Sequence, residues 1–139
     1  MSTLDAILHD ARRVIEAFHD SARFAMVRIG VAPCSPFSVT EALMREAALL
    51  ARSYGVGLHT HLKKSVSDVA YSREKFDKTP AEYAEALGRV GPDIWHAHCV
   101  QLDAPGIALF ARTGTGVVHW AALRHASSSA AVCAILQTG

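Results

Sequence analysis

The sequence predicts an α/β fold, a partial (β/α)8 TIM barrel with about four parallel strands and flanking helices. Two observations predict it. Helical patterns alternate with short apolar strands along the chain, and histidines recur at the ends of those strands. Strands separated by helices need crossover connections, which make a parallel sheet with helices outside it. Side chains at the carboxyl ends of such strands then meet on one face, where barrels place their active residues.

Local signals set the predicted elements. Helices are predicted at residues 4–18, 41–54, 65–76, 79–88 and 103–111, with a further one from about residue 128. Thr40 is a good N-cap and Gly55 a good stop for the second helix. Thr79-Pro80-Ala81-Glu82 combines an N-cap, a proline at N1 and a glutamate at N3. Apolar residues at helical spacing predict the first helix.

Strands are predicted at residues 24–32, 57–62, 94–100 and 116–119. Pro33 and Pro36 mark a loop after the first of them. A free-standing doubly wound sheet is the competing architecture, but no glycine fingerprint follows its first strand. We therefore expect one domain, residues 1–139. Half a barrel leaves two sheet edges and an apolar lumen uncovered, which favours a homo-oligomer or a missing remainder.

Composition excludes several classes of function. A formal charge of +1 gives no case for a nucleic-acid or membrane partner. No apolar run approaches the roughly 20 residues of a membrane span, and the N-terminus lacks a signal-peptide layout. The 3 cysteines are odd in number and widely spaced, so no disulfide framework is implied. A cytoplasmic location is therefore expected.

The stretch that suggests a site is Gly57-Leu58-His59-Thr60-His61-Leu62. Side chains alternate along a strand, so His59 and His61 should share one face. His61 ends its strand, and neutral imidazole is the commonest metal ligand. A hydrogen-bonded core histidine is the alternative for His61 alone. His98, in the same position on a later strand, strengthens the case for a site.

The sequence supports weaker predictions for three other histidines and two cysteines. His59 and His96 should lie one pleat deeper on the face of the outer histidines, as packing groups or as groups that orient them. His119 ends the last strand and could contact a substrate or be structural. Cys34 should lie on the histidine face, with nothing that marks it as activated. Cys99 should point towards the helices and be buried.

Several runs together resemble the amidohydrolase superfamily. They are Ala32-Pro33-Cys34-Ser35-Pro36-Phe37-Ser38-Val39, Leu58-His59-Thr60-His61-Leu62, Thr79-Pro80-Ala81-Glu82-Tyr83, Trp95-His96-Ala97-His98-Cys99-Val100-Gln101-Leu102-Asp103 and Ala111-Arg112-Thr113-Gly114-Thr115-Gly116-Val117. They look most like its aminohydrolase branch of 8-oxoguanine deaminases and hydroxyatrazine or chlorotriazine hydrolases. The likeness covers about residues 4–119 and corresponds to strands four to seven of the family barrel.

The resemblance implies roles for individual residues. His61 matches the family's fifth-strand metal ligand, and His98 matches the catalytic histidine beside the metal. His119 matches a histidine that lines the substrate pocket. In the family, a divalent metal, zinc or iron, activates a water that attacks a purine- or triazine-like ring, and ammonia or an amine departs.

The sequence also departs from the family pattern. Lys64 stands where the family has a proton-shuttling glutamate. The first-strand His-x-His pair and the eighth-strand aspartate of the family are not found. We therefore expect a truncated metal-dependent aminohydrolase, inactive alone. The alternative is a non-catalytic half-barrel that self-associates or binds a partner. A complete smaller enzyme, with His59 and His61 as the first-strand pair, disagrees with the order of the flanking runs.

Overall fold

The computed structural model describes residues 2–62, 66–99 and 102–118. Within these ranges one four-stranded sheet has the order β1-β2-β3-β4, and every neighbouring pair is parallel. The strands are β1 (Gly30–Val31), β2 (Gly57–His61), β3 (Ile94–Ala97) and β4 (Gly116–Val118). The helices are α1 (Thr3–Phe18), α2 (Glu41–Tyr54), α3 (Val66–Phe76), α4 (Pro80–Ala86) and α5 (Ala104–Thr113). The predicted arrangement of four parallel strands with flanking helices is confirmed. The predicted helix from about residue 128 lies outside the described residues.

Helix ends follow the predicted capping residues. The Thr40 side chain accepts a hydrogen bond from the Leu43 amide, and Gly55 ends α2 in the left-handed region. Thr79 and Glu82 form a reciprocal capping box at the start of α4. These local bonds satisfy backbone groups that a helix end leaves without partners, so the sequence alone specifies where the helices begin. None of the described helices is long and apolar enough to cross a membrane.

The first strand is much shorter than predicted. A strand was expected over residues 24–32, but only Gly30–Val31 pairs with β2. Phe24 has φ 64°, in the left-handed region, and the Asp20 amide bonds back to the Val27 carbonyl. The segment before β1 is therefore folded on itself. Pro33 follows two residues after Val31 and has no N–H to continue the ladder.

The hydrophobic core lies between the sheet and its helices. Leu58 of β2 and Ile94 of β3 are 0% and 2% exposed and pack on α2. Burial of each such side chain contributes about 1.5–3 kcal/mol. A second cluster, under α4 and α5, contains Leu62, Cys99 and Phe110. The predicted burial of Cys99 on the helix side is confirmed.

The opposite face of the sheet is covered by an indole that the sequence did not single out. Trp95 projects from β3 across Gly57 of β2 and Gly30 of β1, and its Cβ faces Gly116 of β4. A Cβ on Gly57 would lie 2.4 Å from a Trp95 ring carbon, and a Cβ on Gly30 would lie 3.3 Å from another. A Cβ on Gly116 would lie 3.1 Å from the Cβ of Trp95. Gly57 and Gly30 therefore make room for the indole, which also stacks on the His59 ring at 5.4 Å.

We expect Gly57→Ala to destabilise the protein by roughly 1–3 kcal/mol, because its methyl group would overlap the indole. Gly30→Ala is the matched control and should cost less, since its contact is only slightly short. Urea unfolding measures both. In a Trp95→Leu background the difference between the two alanine variants should largely disappear. If each alanine substitution lowered the free energy of unfolding by the same amount in the parent and in the Trp95→Leu background, the indole would not lie on these glycines.

Candidate functional site

The strand register places two histidines of β2 on one face. His59 pairs with Trp95, and His61 pairs with Ala97. Leu58 and Thr60 point the other way and are buried against the helices. The predicted alternation along β2 is confirmed. His59 and His61 therefore lie on the sheet face that a closed barrel would enclose.

Backbone carbonyls fix both of these imidazoles. The Nδ1 of His59 lies 3.1 Å from the Trp95 carbonyl oxygen. The Nδ1 of His61 lies 3.2 Å from the Cys34 carbonyl oxygen. Since a carbonyl only accepts, each Nδ1 carries a proton, and each ring in its neutral form keeps its lone pair on Nε2. Burial lowers the pKa of His59, which favours this neutral form.

His98 joins His61 by an unexpected route. The two rings are stacked, with centroids 5.1 Å apart and an interplanar angle of 24°. The residue paired with His61 is Ala97, so His98 lies one position beyond the predicted register. Its φ of 61° turns the chain into the left-handed region, which ends β3 early. The predicted convergence of His61 and His98 is thus found, although simple strand alternation does not produce it.

The predicted position of His96 is wrong. His96 pairs with Thr60, on the helix-facing side, and is 0% exposed. Its ring stacks on Phe110 at 5.2 Å, and its Nε2 lies 2.8 Å from the Arg89 carbonyl. The error arose because His98 is in the left-handed conformation, so it does not share a face with His96. His96 therefore cannot contact the outer histidines directly, and it supports them only from the helix side.

The burial of an arginine beneath β2 was not predicted from the sequence. Arg89 is 0% exposed, and its Nη2 donates to the His59 carbonyl at 3.0 Å. Its Nε and Nη1 have no hydrogen-bond partner within the part of the chain that the structure describes. Burial lowers the pKa of Arg89 to about 10, so the guanidinium remains charged at neutral pH. An arginine between two loop glycines gives no sequence signal of burial, because such residues are ordinarily exposed.

A cavity of about 270 Å³ opens beside His61, between the loop after β1, the end of β2 and α3. Cys34 and Phe37 are among its lining residues. Cys34 is exposed and lines this cavity together with His61, but its hydrogen bond to His61 uses the backbone carbonyl. The Phe37 ring packs on Tyr83 of α4 and so anchors this loop to the helix layer.

Two of the predicted site positions, Lys64 and His119, lie outside the described residues. Their roles stay predictions.

The imidazole nitrogens of this site are a type of ligand atom that divalent metals such as zinc bind. A neutral imidazole with Nδ1 bound to a carbonyl and Nε2 open is the form in which histidine ligates zinc. His61 has this form, and His98 lies against it. Protein zinc sites use three or four protein ligands. Within the described ranges no group of three or more His, Cys, Asp or Glu could hold a metal ion. His61 thus fits as one member of a ligand set, with the His98 ring stacked beside it.

The burial of His96 predicts a pH-dependent stability. Burial lowers the pKa of His96 from 6.5 to about 4. Below pH 6.5 the unfolded chain therefore binds a proton that the native state does not, and stability falls as the pH approaches 4. The expected loss is about 3 kcal/mol.

Urea unfolding between pH 7 and 4 measures this loss. His96→Phe keeps a ring against Phe110 and should reduce the slope. An equally steep slope in His96→Phe would contradict the assignment.

Comparisons with known proteins agree on one family. The model of the amidohydrolase family matches residues 2–134. The chain is 36% identical to an 8-oxoguanine deaminase of Pseudomonas aeruginosa over 115 residues, covering 83% of this chain and 26% of that protein. It is 43% identical to a hydroxydechloroatrazine ethylaminohydrolase of Pseudomonas sp. strain ADP over 115 residues, covering 83% of this chain and 24% of that protein.

Solved structures give the same result. A triazine hydrolase of Arthrobacter aurescens superimposes with a TM-score of 0.90 at 28% identity, covering 100% of this chain and 31% of that one. An atrazine chlorohydrolase of Arthrobacter aurescens, solved with zinc, superimposes with a TM-score of 0.88 at 27% identity, covering 98% of this chain and 30% of that one. The chain thus spans a quarter to a third of the length of these proteins. The matched family and these relatives, together with the paired strand-end histidines, show that the chain belongs to the amidohydrolase family.

Proposed function

We propose that this chain supplies the middle strands of a metal-dependent aminohydrolase that cleaves a C–N bond of a purine- or triazine-like ring. The observation that carries this proposal is the His61 imidazole, held through Nδ1 by a carbonyl and stacked against His98. Relatives named as 8-oxoguanine deaminase and hydroxydechloroatrazine ethylaminohydrolase support the ring substrate. A location in the cytoplasm remains a prediction from the cysteine content.

Each residue has one task in this proposal. His61 offers its Nε2 as a metal ligand. His98, 5.1 Å away between ring centroids, is the catalytic histidine that exchanges a proton with the substrate or the attacking water. His119 lines the substrate pocket. When bound, zinc or iron supplies Lewis acidity that lowers the pKa of a water. The cavity beside His61 gives a ring access to this edge of the sheet.

We further propose that the chain does not catalyse the reaction alone. Among the described residues only His61 is proposed as a metal ligand, whereas catalytic zinc sites use three protein ligands. At Lys64 an ammonium group replaces the family's carboxylate. An ammonium cannot accept and return a proton as a carboxylate does at neutral pH, and its charge opposes a nearby cation.

Zinc titration of the purified chain tests the metal proposal. We expect His61→Ala to weaken Zn²⁺ binding at least tenfold by calorimetry, because the ligand with the fixed tautomer is lost. His9→Ala is the matched control and should bind as the parent chain does. Equal zinc affinity in the parent and His61→Ala would contradict the proposed ligand. No ammonia release from 8-oxoguanine or guanine is expected, and catalytic turnover by the chain alone would overturn the proposed inactivity.

A non-catalytic half-barrel that self-associates is the second candidate. Exposed apolar residues before β1 favour it, since Phe24 is 83% exposed and Met26 is 97% exposed. A surface of this kind is typical of an interaction site. Sedimentation equilibrium should then show a dimer that Phe24→Ser/Met26→Ser dissociates, whereas Leu49→Ser on α2 should leave it intact. A monomeric parent chain would exclude this candidate.

A further inference from the structure

We infer that Arg89 is a positioning residue that replaces a missing backbone donor and thereby holds the histidine-bearing strand in register. The inference deepens the proposed metal site, because it concerns how His59 and His61 are held. It rests on three observations about the β1–β2 ladder, the guanidinium and the support of the guanidinium from β3.

The ladder between β1 and β2 lacks a donor at one position. Val31 pairs with Leu58 in parallel register, and the Leu58 amide bonds to Asp93 on the β3 side. Alternation along β2 therefore directs the N–H and C=O of His59 towards β1. The next donor for the His59 carbonyl would come from residue 33. That residue is Pro33, which has no N–H.

Arg89 supplies the bond that Pro33 cannot make. Its Nη2 lies 3.0 Å from the His59 carbonyl oxygen, and the side chain is fully buried. None of the ion pairs among the described residues includes Arg89, and its Nε and Nη1 make no hydrogen bond there. A charge buried without an ion-pair partner lowers stability, so its presence needs another physical reason. The reason is the otherwise unpaired carbonyl next to the site.

The support of Arg89 comes from β3. The Nε2 of His96 donates to the Arg89 carbonyl at 2.8 Å. A chain of contacts therefore runs from His96 through Arg89 to the His59 carbonyl, beneath the sheet. Beyond this point β2 meets the loop after β1 through the His61 amide, which donates to the Cys34 carbonyl at 3.1 Å. A loss of the Arg89 bond should therefore loosen the connection that also fixes the His61 ring.

A double-substitution cycle tests the inference on the metal-free chain. Arg89→Met removes the donor and keeps an apolar side chain of similar length. We expect amide hydrogen exchange at His61 to accelerate at least tenfold and the His59 and His61 imidazole NMR signals to shift. The Leu62 amide, bonded to Ala97 on the β3 side, is the internal control and should change less than twofold. Arg89→Lys keeps a buried donor and should restore part of the protection.

Pro33→Ala provides the decisive comparison, because it returns an N–H opposite the His59 carbonyl. The Pro33→Ala/Arg89→Met chain should regain His61 protection to within about threefold of the parent, and a merely structural role for Arg89 would give no such rescue. Unchanged exchange in Arg89→Met, or no rescue in the double variant, would overturn the inference. Should Arg89→Met not fold, folding of the double variant would support it and continued misfolding would overturn it. Because no metal is present, failure here is distinct from failure of the zinc titration.

Discussion

The candidate site depends on two hydrogen bonds between β2 imidazoles and backbone carbonyls. His59 is bonded to the Trp95 carbonyl and His61 to the Cys34 carbonyl. An imidazole on an exposed strand end would otherwise rotate and exchange tautomers. A carbonyl partner at Nδ1 removes both freedoms and leaves Nε2 as the open nitrogen. The same two bonds join β2 to its neighbours, so strand pairing and site geometry have a common origin.

These bonds require support on both faces of the sheet. On one face, the Trp95 indole packs over Gly30 and Gly57 and stacks on His59 at 5.4 Å. On the other face, His96 and Arg89 occupy the layer between the strands and the helices. Large side chains therefore pack against the histidine-bearing strand on both faces of the sheet. The site is therefore built from the interior of the fold as much as from the strand ends.

Much of the fold could be predicted because its signals are local. Thr40, Thr79 and Asp103 each cap a helix through a bond to a residue three positions away, so their effect is visible in a short window of sequence. The parallel order of the strands followed from the helices between them. Strand lengths were less accessible. β1 is short because a turn at Phe24 precedes it and Pro33 follows it. The turn depends on backbone angles that an apolar sequence pattern does not reveal.

The site could be predicted in part. The pairing of His59 and His61 required only strand alternation, and it was found as expected. The sheet face predicted for His96 was wrong because His98 has a left-handed backbone conformation. This conformation places the His98 ring on the face opposite to His96, so the two side chains do not share a face as strand alternation would require. Arg89 was missed because its burial arises from contacts between distant segments, across 30 residues of sequence. Gly57 and Gly116 lie on the strands that flank Trp95, but this relation can be recognised in the sequence only once the strand register is known.

The carbonyl bonds to Nδ1 of His59 and His61 fix the tautomer of each ring, and they leave the Nε2 of His61 open to a metal. Long-range proton–nitrogen NMR of the imidazoles at neutral pH measures this arrangement, because it distinguishes the two tautomers of each ring. We expect the neutral form of both rings to have a protonated Nδ1 and an unprotonated Nε2 in the metal-free protein. A protonated Nε2 on His61 would contradict it, since the ring would then offer no lone pair to a metal at that atom.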